Sequence, residues 1–195
     1  MSLKDFATDL QNLYNNMSES FSQYQRSTGV TCPATCGKCC DNPEVEASPM
    51  EMIPMALEIY RRGELETWLD KLMDAETPSA CTVFHALTPD KELGRCSIYE
   101  YRPSLCRVFG ISGWSGKDEK ISLSICKKLK VLHADKIQDI TQTDDAPLAK
   151  NWSLKLMQLD SRLITERMPI NLAFKKALEK VALLSMYSPE ECNLD

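Results

Sequence analysis

The chain predicts a mainly α fold, with helices packed around an irregular, cysteine-rich metal-binding centre. Three observations predict it. Apolar residues recur at three- and four-residue steps near both ends of the chain, and no strand–helix alternation runs between them. A stretch punctuated by Pro, Gly and Asn carries four cysteines in nine residues, Cys32-Pro-Ala-Thr-Cys36-Gly-Lys-Cys39-Cys40. Four more, Cys81, Cys96, Cys106 and Cys126, follow at intervals too long for one loop.

The 195 residues fit a single domain, 1–195: an N-terminal amphipathic helix (1–29), a cysteine-cluster metal-binding region (30–130) and C-terminal helices (131–195). At 43% apolar and 26% charged, the chain can bury a core of its own, so metal need not be its sole source of stability. A net charge of −5 gives no basic footprint for nucleic acid. No apolar run approaches the roughly 20 residues of a membrane helix. Polar and charged residues break up the N-terminus too often for a signal-peptide core. The sequence therefore reads as cytoplasmic, with no nucleic-acid and no membrane partner. In a reducing compartment clustered cysteines bind metal or do redox work more often than they form disulfides.

Residues 2–27 read as one helix. Phe6, Leu10, Leu13, Tyr14, Met17, Phe21 and Tyr24 form its core-facing stripe, and Gly29 stops it. Residues 30–47 are a loop. Ser48-Pro49-Met50-Glu51 has the form of a capping box, with proline suited to the first helical position. Met52, Ile53, Met55, Ala56, Ile59 and Tyr60 continue that helix, Pro54 kinks or resets it, and Gly63 ends it. Leu65, Trp68, Leu69 and Leu72 make a short helix. Cys81–His85 reads as extended. In GRCSIYEYRPSLCRVFG, Pro103 pushes Arg102 into an extended conformation and opens a helical turn carrying Ser104, Leu105 and Cys106. Residues 112–119 read as a loop. Helices over about 122–135, 146–165 and 170–187 complete the chain, with Pro147 and Pro169 near two of the starts.

A thiolate is a soft, strong ligand, and spacings of two or three residues let a tight turn bring sulfurs to about 2.3 Å from one zinc ion. The metal candidates are Cys32, Cys36, Cys39, Cys40, Cys81, Cys96, Cys106 and Cys126. Cys39 and Cys40 are adjacent, so their side chains are expected to diverge, and one of them can serve a second metal or stay a free thiol. The distant four would tie separate segments to one hub, and binding energy at such a hub is folding energy. At least one thiolate site is expected from Cys36, Cys39 or Cys40 together with Cys96 and Cys106. Four thiolates on one zinc leave a net charge of −2, so cations are needed nearby. Lys38, Arg95, Arg102, Arg107, Lys127 and Lys128 all lie close to a cysteine in sequence. Burial as small apolar residues suits Cys81 or Cys126 singly but not the 32–40 cluster, where Gly and Pro leave little core to fill. Zinc is the first choice. Iron or an iron–sulfur cluster accepts the same donors, and spacing does not separate them.

The cluster CPATCGKCC, then Cys81, then GRCSIYEYRPSLCR and a later cysteine resemble the YkgJ-type cysteine-cluster family, whose domains are described as zinc- or iron-chelating. Cys36, Cys39, Cys40, Cys96, Ile98, Tyr99, Glu100, Arg102, Pro103, Cys106 and Arg107 match its pattern. The departure is the first gap, three residues between Cys32 and Cys36 where the family has two. The likeness spans about 30–130. A more distant group that shares the cysteine pattern is the flagellin lysine-N-methylases.

Two readings follow. One is a metal-binding protein chelating zinc or iron through its cysteine thiolates. The other is an iron–sulfur-cluster enzyme, for which the distant likeness implies a protein-lysine N-methylase-like activity. C-x3-C-x2-C also matches the radical S-adenosylmethionine motif. A long helix precedes it here, however, and Lys38 stands where that motif has an aromatic residue. No Gly-rich phosphate loop is present among only 7 glycines, which argues against a nucleotide-type cofactor. His85 and His133 read as ordinary histidines, Cys192 as an exposed free thiol, and Met50, Met52, Met55 and Met73 as core packing. No residue is assigned a catalytic role, and no protein partner is indicated.

Overall fold

In the computed structural model, which describes residues 2–116, 120–140 and 145–192, the N-terminal helix runs as α1 (Leu3–Thr28). The Ser2 hydroxyl accepts the Asp5 amide at 3.1 Å and caps it. The predicted stripe is buried except for the half-buried Leu13, and Gly29, at φ 67°, closes the helix in the left-handed conformation that glycine adopts without a Cβ penalty. A two-residue strand, β1 (Glu46–Ala47), leads into the capping box. Ser48 N–H donates to Glu51 Oε2 at 2.9 Å, and Glu51 N–H donates to Ser48 Oγ at 3.1 Å. A 3-10 turn over Met50–Met52 follows, then α2 (Ile53–Arg61) with Pro54 in its first turn, where a missing N–H costs nothing. The next helix is α3 (Leu65–Lys71).

The extended segment expected at 81–85 lies slightly later. Cys81 closes a turn by accepting the Phe84 amide at 2.9 Å, and β2 (Phe84–Ala86) then pairs antiparallel with β3 (Gly94–Cys96), Phe84 opposite Cys96. Arg102 is extended (φ −63°, ψ 144°) and α4 (Ser104–Val108) starts after Pro103, both as predicted.

Three expectations beyond that point are corrected. β4 (Ile111–Ser115) pairs antiparallel with β5 (Ile121–Ile125), so 112–115 is strand rather than loop and 122–125 is strand rather than helix. Residues 117–119 of that loop lie outside the described residues. The reason is packing. Ile121, Leu123 and Ile125 alternate with serines and set one face against an apolar cluster of Tyr24, Val30, Ile111 and Leu129. Helix begins only at α5 (Lys127–Leu132), followed by α6 (Ala134–Ile140). The helix expected over 146–165 is two, α7 (Ala149–Leu159) and α8 (Arg162–Thr165). Between them Asp160 is extended, and its carboxylate accepts the Arg162 amide at 2.9 Å. β6 (Met168–Pro169) pairs with β1, and α9 (Ile170–Tyr187) runs as predicted. The protein is thus mainly α, with only short strand pairs.

The main core joins α1, α2 and α9 through Leu10, Tyr14, Ile53, Leu57, Phe174 and Leu178. Met50, Met52 and Met55 are buried in it, but Met73 is exposed because it falls past the end of α3. Cys192, expected at the surface, is buried. A 3-10 turn over Pro189–Glu191 folds back on α9 and sets its Sγ 3.8 Å from the Val181 carbonyl. Glu191 Oε2 also accepts the Leu3 amide at 2.6 Å, which fixes that turn against α1. Among the described residues no helix is long and apolar enough to cross a membrane.

Glu51 does more than cap α2. Its carboxylate, fully removed from solvent, also accepts the amide (3.2 Å) and hydroxyl of Ser104, the first residue of α4, and Arg167 Nη1 at 3.0 Å. Its backbone carbonyl accepts the buried Tyr14 hydroxyl at 3.1 Å. Removing one partner of a buried, hydrogen-bonded charge costs about 3–5 kcal/mol, because the others stay buried and unmet. Glu51→Ala should therefore lower stability by about that amount in urea unfolding. A loss below about 1 kcal/mol, the level of an exposed ion pair, would mean that the carboxylate does not join these segments.

Candidate metal centre

The 30–45 loop is shaped by turns. Cys36 N–H donates to Pro33 O at 3.1 Å, and the amides of Cys40 and Asp41 share Gly37 O at 3.0 and 3.1 Å. The loop is pinned to the β2–β3 hairpin by Gly94 N–H to Thr35 O at 2.8 Å and by a bridge between Cys36 and Leu93. The Phe84 ring fills the space that a Cβ on either Gly37 or Gly94 would need, so both positions require glycine for close approach. Cys81 joins the loop directly, its N–H donating to Cys40 O at 2.9 Å. Behind Cys81, the buried Asn171 of α9 accepts the Thr82 amide at 2.9 Å and donates to Ser79 Oγ and Ala80 O, both at 3.0 Å. Sequence reasoning missed Asn171. Its signal was a polar residue on the otherwise apolar face of Ile170, Ala173 and Phe174. Cys96 ends β3, and Cys106 lies in α4, whose start is held by Glu51.

These placements bring seven of the eight candidates to one cavity of ≈160 Å³: Cys32, Cys36, Cys39, Cys40, Cys81, Cys96 and Cys106. That is about ten times the space one water requires. Ser18, Phe21 and Gln25 of α1 form one wall, and Met52 and Met55 another. Cys126 does not line the cavity. It starts α5 with its amide on Gly110 O at 2.8 Å. All nine cysteines are free. Among the described residues no three His, Cys, Asp or Glu side chains already stand close enough around one point to hold an ion. A cysteine sulfur moves between staggered wells by rotation about a single bond, however, so sulfurs on one cavity wall can be drawn together. The neighbouring Cys40 thiol lowers the pKa of Cys39, and Cys39 in turn raises that of Cys40.

Burial dominates at Cys32, Cys81, Cys96 and Cys106. It pushes Cys32 up to about 11 and Cys81 up to about 12, and raises Cys96 and Cys106, with neighbouring cysteines adding to the effect. The cations are fewer than the sequence suggested. Lys38 and Lys128 pair instead with Glu92 at 2.7 and 3.1 Å, and Arg95 and Lys127 do not line the cavity. Arg102 and Arg107 do. Arg107 is buried and spends its donors on the carbonyls of Arg102 (2.8 Å), Tyr14 (3.3 Å) and Glu100 and on Ser18 Oγ (2.6 Å). Burial, and then the charge of Arg102, lower its pKa to about 10. Arg102 stacks on Tyr99 at 3.6 Å, and its buried Nε has no hydrogen-bond partner. Among the described residues neither guanidinium has a carboxylate partner. Two neighbouring cations without counter-ions thus face a cavity of thiols, and among the described residues the cavity wall includes no carboxylate and no imidazole. This donor set fits a thiophilic ion held by ionised cysteines, since ionised sulfurs would supply the missing negative charge. Neither histidine takes part. His85 faces Arg95 across the hairpin, and His133 lies 3.1 Å from Thr31 O.

No curated protein and no solved structure matches the chain. A family model does, described as "CxxCxxCC: Putative zinc- or iron-chelating domain" and covering residues 31–145. That span takes in the loop, both hairpins and helices α2 to α6, and with it every cysteine of the constellation, so the chain belongs to this family.

Proposed function

We propose that the protein chelates zinc through the thiolates of Cys32, Cys36, Cys39, Cys40, Cys81, Cys96, Cys106 and Cys126. One observation carries this reading: seven cysteines from four separate segments share a cavity with two uncompensated guanidiniums and, among the described residues, with no carboxylate or imidazole. Hard cations such as magnesium or manganese need oxygen ligands, and mononuclear iron oxygenase sites need two histidines and a carboxylate. Neither set lines this wall. Zinc held by thiolates has no redox chemistry of its own, so its contribution would be to cross-link the segments that bring the ligands. Asn171 and the Cys40–Cys81 hydrogen bond position Cys81, Glu51 positions Cys106, and Arg102 and Arg107 offset the thiolate charge.

Protein isolated without oxygen should be colourless and contain zinc in whole-number stoichiometry by elemental analysis. A brown protein with acid-labile sulfide would overturn the choice of zinc in favour of an iron–sulfur cluster.

The thiols that burial pushes up to about 11 and 12 carry their protons at neutral pH. Zinc must displace those protons, so loading should acidify an unbuffered solution, and apparent affinity should rise with pH and fall on acidification. Loading without proton release would show that these cysteines are not ligands.

Arg102→Gln should weaken zinc binding about 10–100-fold in a competition assay while leaving the far-ultraviolet circular dichroism of the metal-free protein unchanged. Unchanged affinity would remove Arg102 from the site.

A further inference from the structure

The eight cysteines do not form one group in the packing. Cys81, Cys96 and Cys106 pack against the main core of α1, α2 and α9, whereas Cys126 packs against the second apolar cluster, of Tyr24, Val30, Ile111 and Leu129. Cys32 goes with Cys126. A Cβ placed on Gly110 would stand 3.1 Å from Cys32 Sγ, and the carbonyl of that same glycine accepts the Cys126 amide at 2.8 Å. The strongest electrostatic neighbours of Cys32 are Cys36, Cys126 and Cys39. Those of Cys106 are Cys81, Cys39 and Cys96, and those of Cys40 include Cys81 and Cys106. Cys40 is fixed to the Cys81 side by its carbonyl, and Cys39 is a near neighbour of Cys32 on one side and of Cys81, Cys96 and Cys106 on the other.

A zinc ion takes four thiolates, and the constellation has eight. We infer that it forms two centres, one from Cys32, Cys36, Cys39 and Cys126 and the other from Cys40, Cys81, Cys96 and Cys106. The inference rests on the chelation reading above and adds nuclearity and ligand partition to it. It gives the adjacent pair a purpose, since the Cys39–Cys40 peptide joins the two centres. It also gives each centre a distinct mechanical role. The first ties the loop to α5 and the hairpin cluster, and the second ties it to β3, α4 and the main core. Arg102 is a charge neighbour of Cys32 and Cys39 in one set and of Cys96 and Cys106 in the other, so it lies where the two negative charges would meet.

Native mass spectrometry of the full chain, stripped and reloaded with zinc, counts the ions. Wild type should hold two, as should Cys192→Ser, which alters a cysteine outside both sets. Cys126→Ser and Cys106→Ser should each hold one tightly, and the double variant none. A single ion in wild type, or two ions in both single variants, would overturn the partition. A wild type that takes up no zinc would refute the chelation reading itself, which separates the two failures. The wild-type chain gives a second test that does not depend on how the variants fold. After partial removal of zinc by a chelator, alkylation mapped by peptide mass should label Cys32, Cys36, Cys39 and Cys126 as one block and the other four as another. Labelling spread evenly over all eight would overturn the inference.

Discussion

The Glu51 side chain lies at the junction of the β1–α2 connection, the start of α4 and the residue before β6, and each of these donates to it. A carboxylate withdrawn from water loses a large solvation energy, and these donors replace it. The exchange has a geometric result. α2, which carries the Met52 and Met55 wall of the cavity, and α4, which carries Cys106, are referred to a single pair of oxygens, while the Tyr14 hydroxyl brings α1 to the same residue through its carbonyl. The thiol cavity is the space left between elements so fixed. Its shape is inherited from the polar joint beneath it and not from the sulfurs alone.

Electrostatics in that cavity run in two opposing directions. Burial favours neutral thiols, while two guanidiniums without counter-ions favour thiolates. With protons on the sulfurs, the arginine pair lies in a poorly solvated wall, and burial first and the charge of Arg102 second lower the pKa of Arg107. With ionised sulfurs and a divalent cation among them, both demands are met. The same reasoning explains why Lys38 and Lys128 are absent from the wall. A lysine ammonium is compact and strongly hydrated, and these two stay at the surface around Glu92. Planar guanidinium groups stack on Tyr99 and Tyr14 and tolerate the interior.

Much of the helical frame was legible because its signals are local. The stripe of α1, the Ser48–Glu51 capping box, the Arg102–Pro103 boundary and the span of α9 depend on residues within a turn or two of one another. The β4–β5 hairpin was misread because Ser and Gly suggested a loop, although Ile121-Ser-Leu-Ser-Ile125 carries a two-residue alternation that fits a half-buried strand. Cys192 was misjudged because its burial depends on a turn folding back over α9, which no local pattern encodes. The identity of the cysteines as a set could be read from spacing. Which of them lie together could not, because Cys81 reaches Cys40, and Cys126 and Cys32 come to Gly110, through tertiary contacts across long stretches of chain.

The Phe84 ring, seated against Gly37 of the cysteine loop and Gly94 of the hairpin, has a consequence for how this sequence can vary. Three positions far apart in the chain share one volume, so they cannot drift independently. A side chain at 37 requires the ring at 84 to be given up, one at 94 would also meet the His85 carbonyl at 2.9 Å, and a chain that keeps the ring must keep both glycines. Aligned relatives with an aromatic ring at 84 should therefore keep glycine at both 37 and 94, a coupling set by steric exclusion beside the sulfurs.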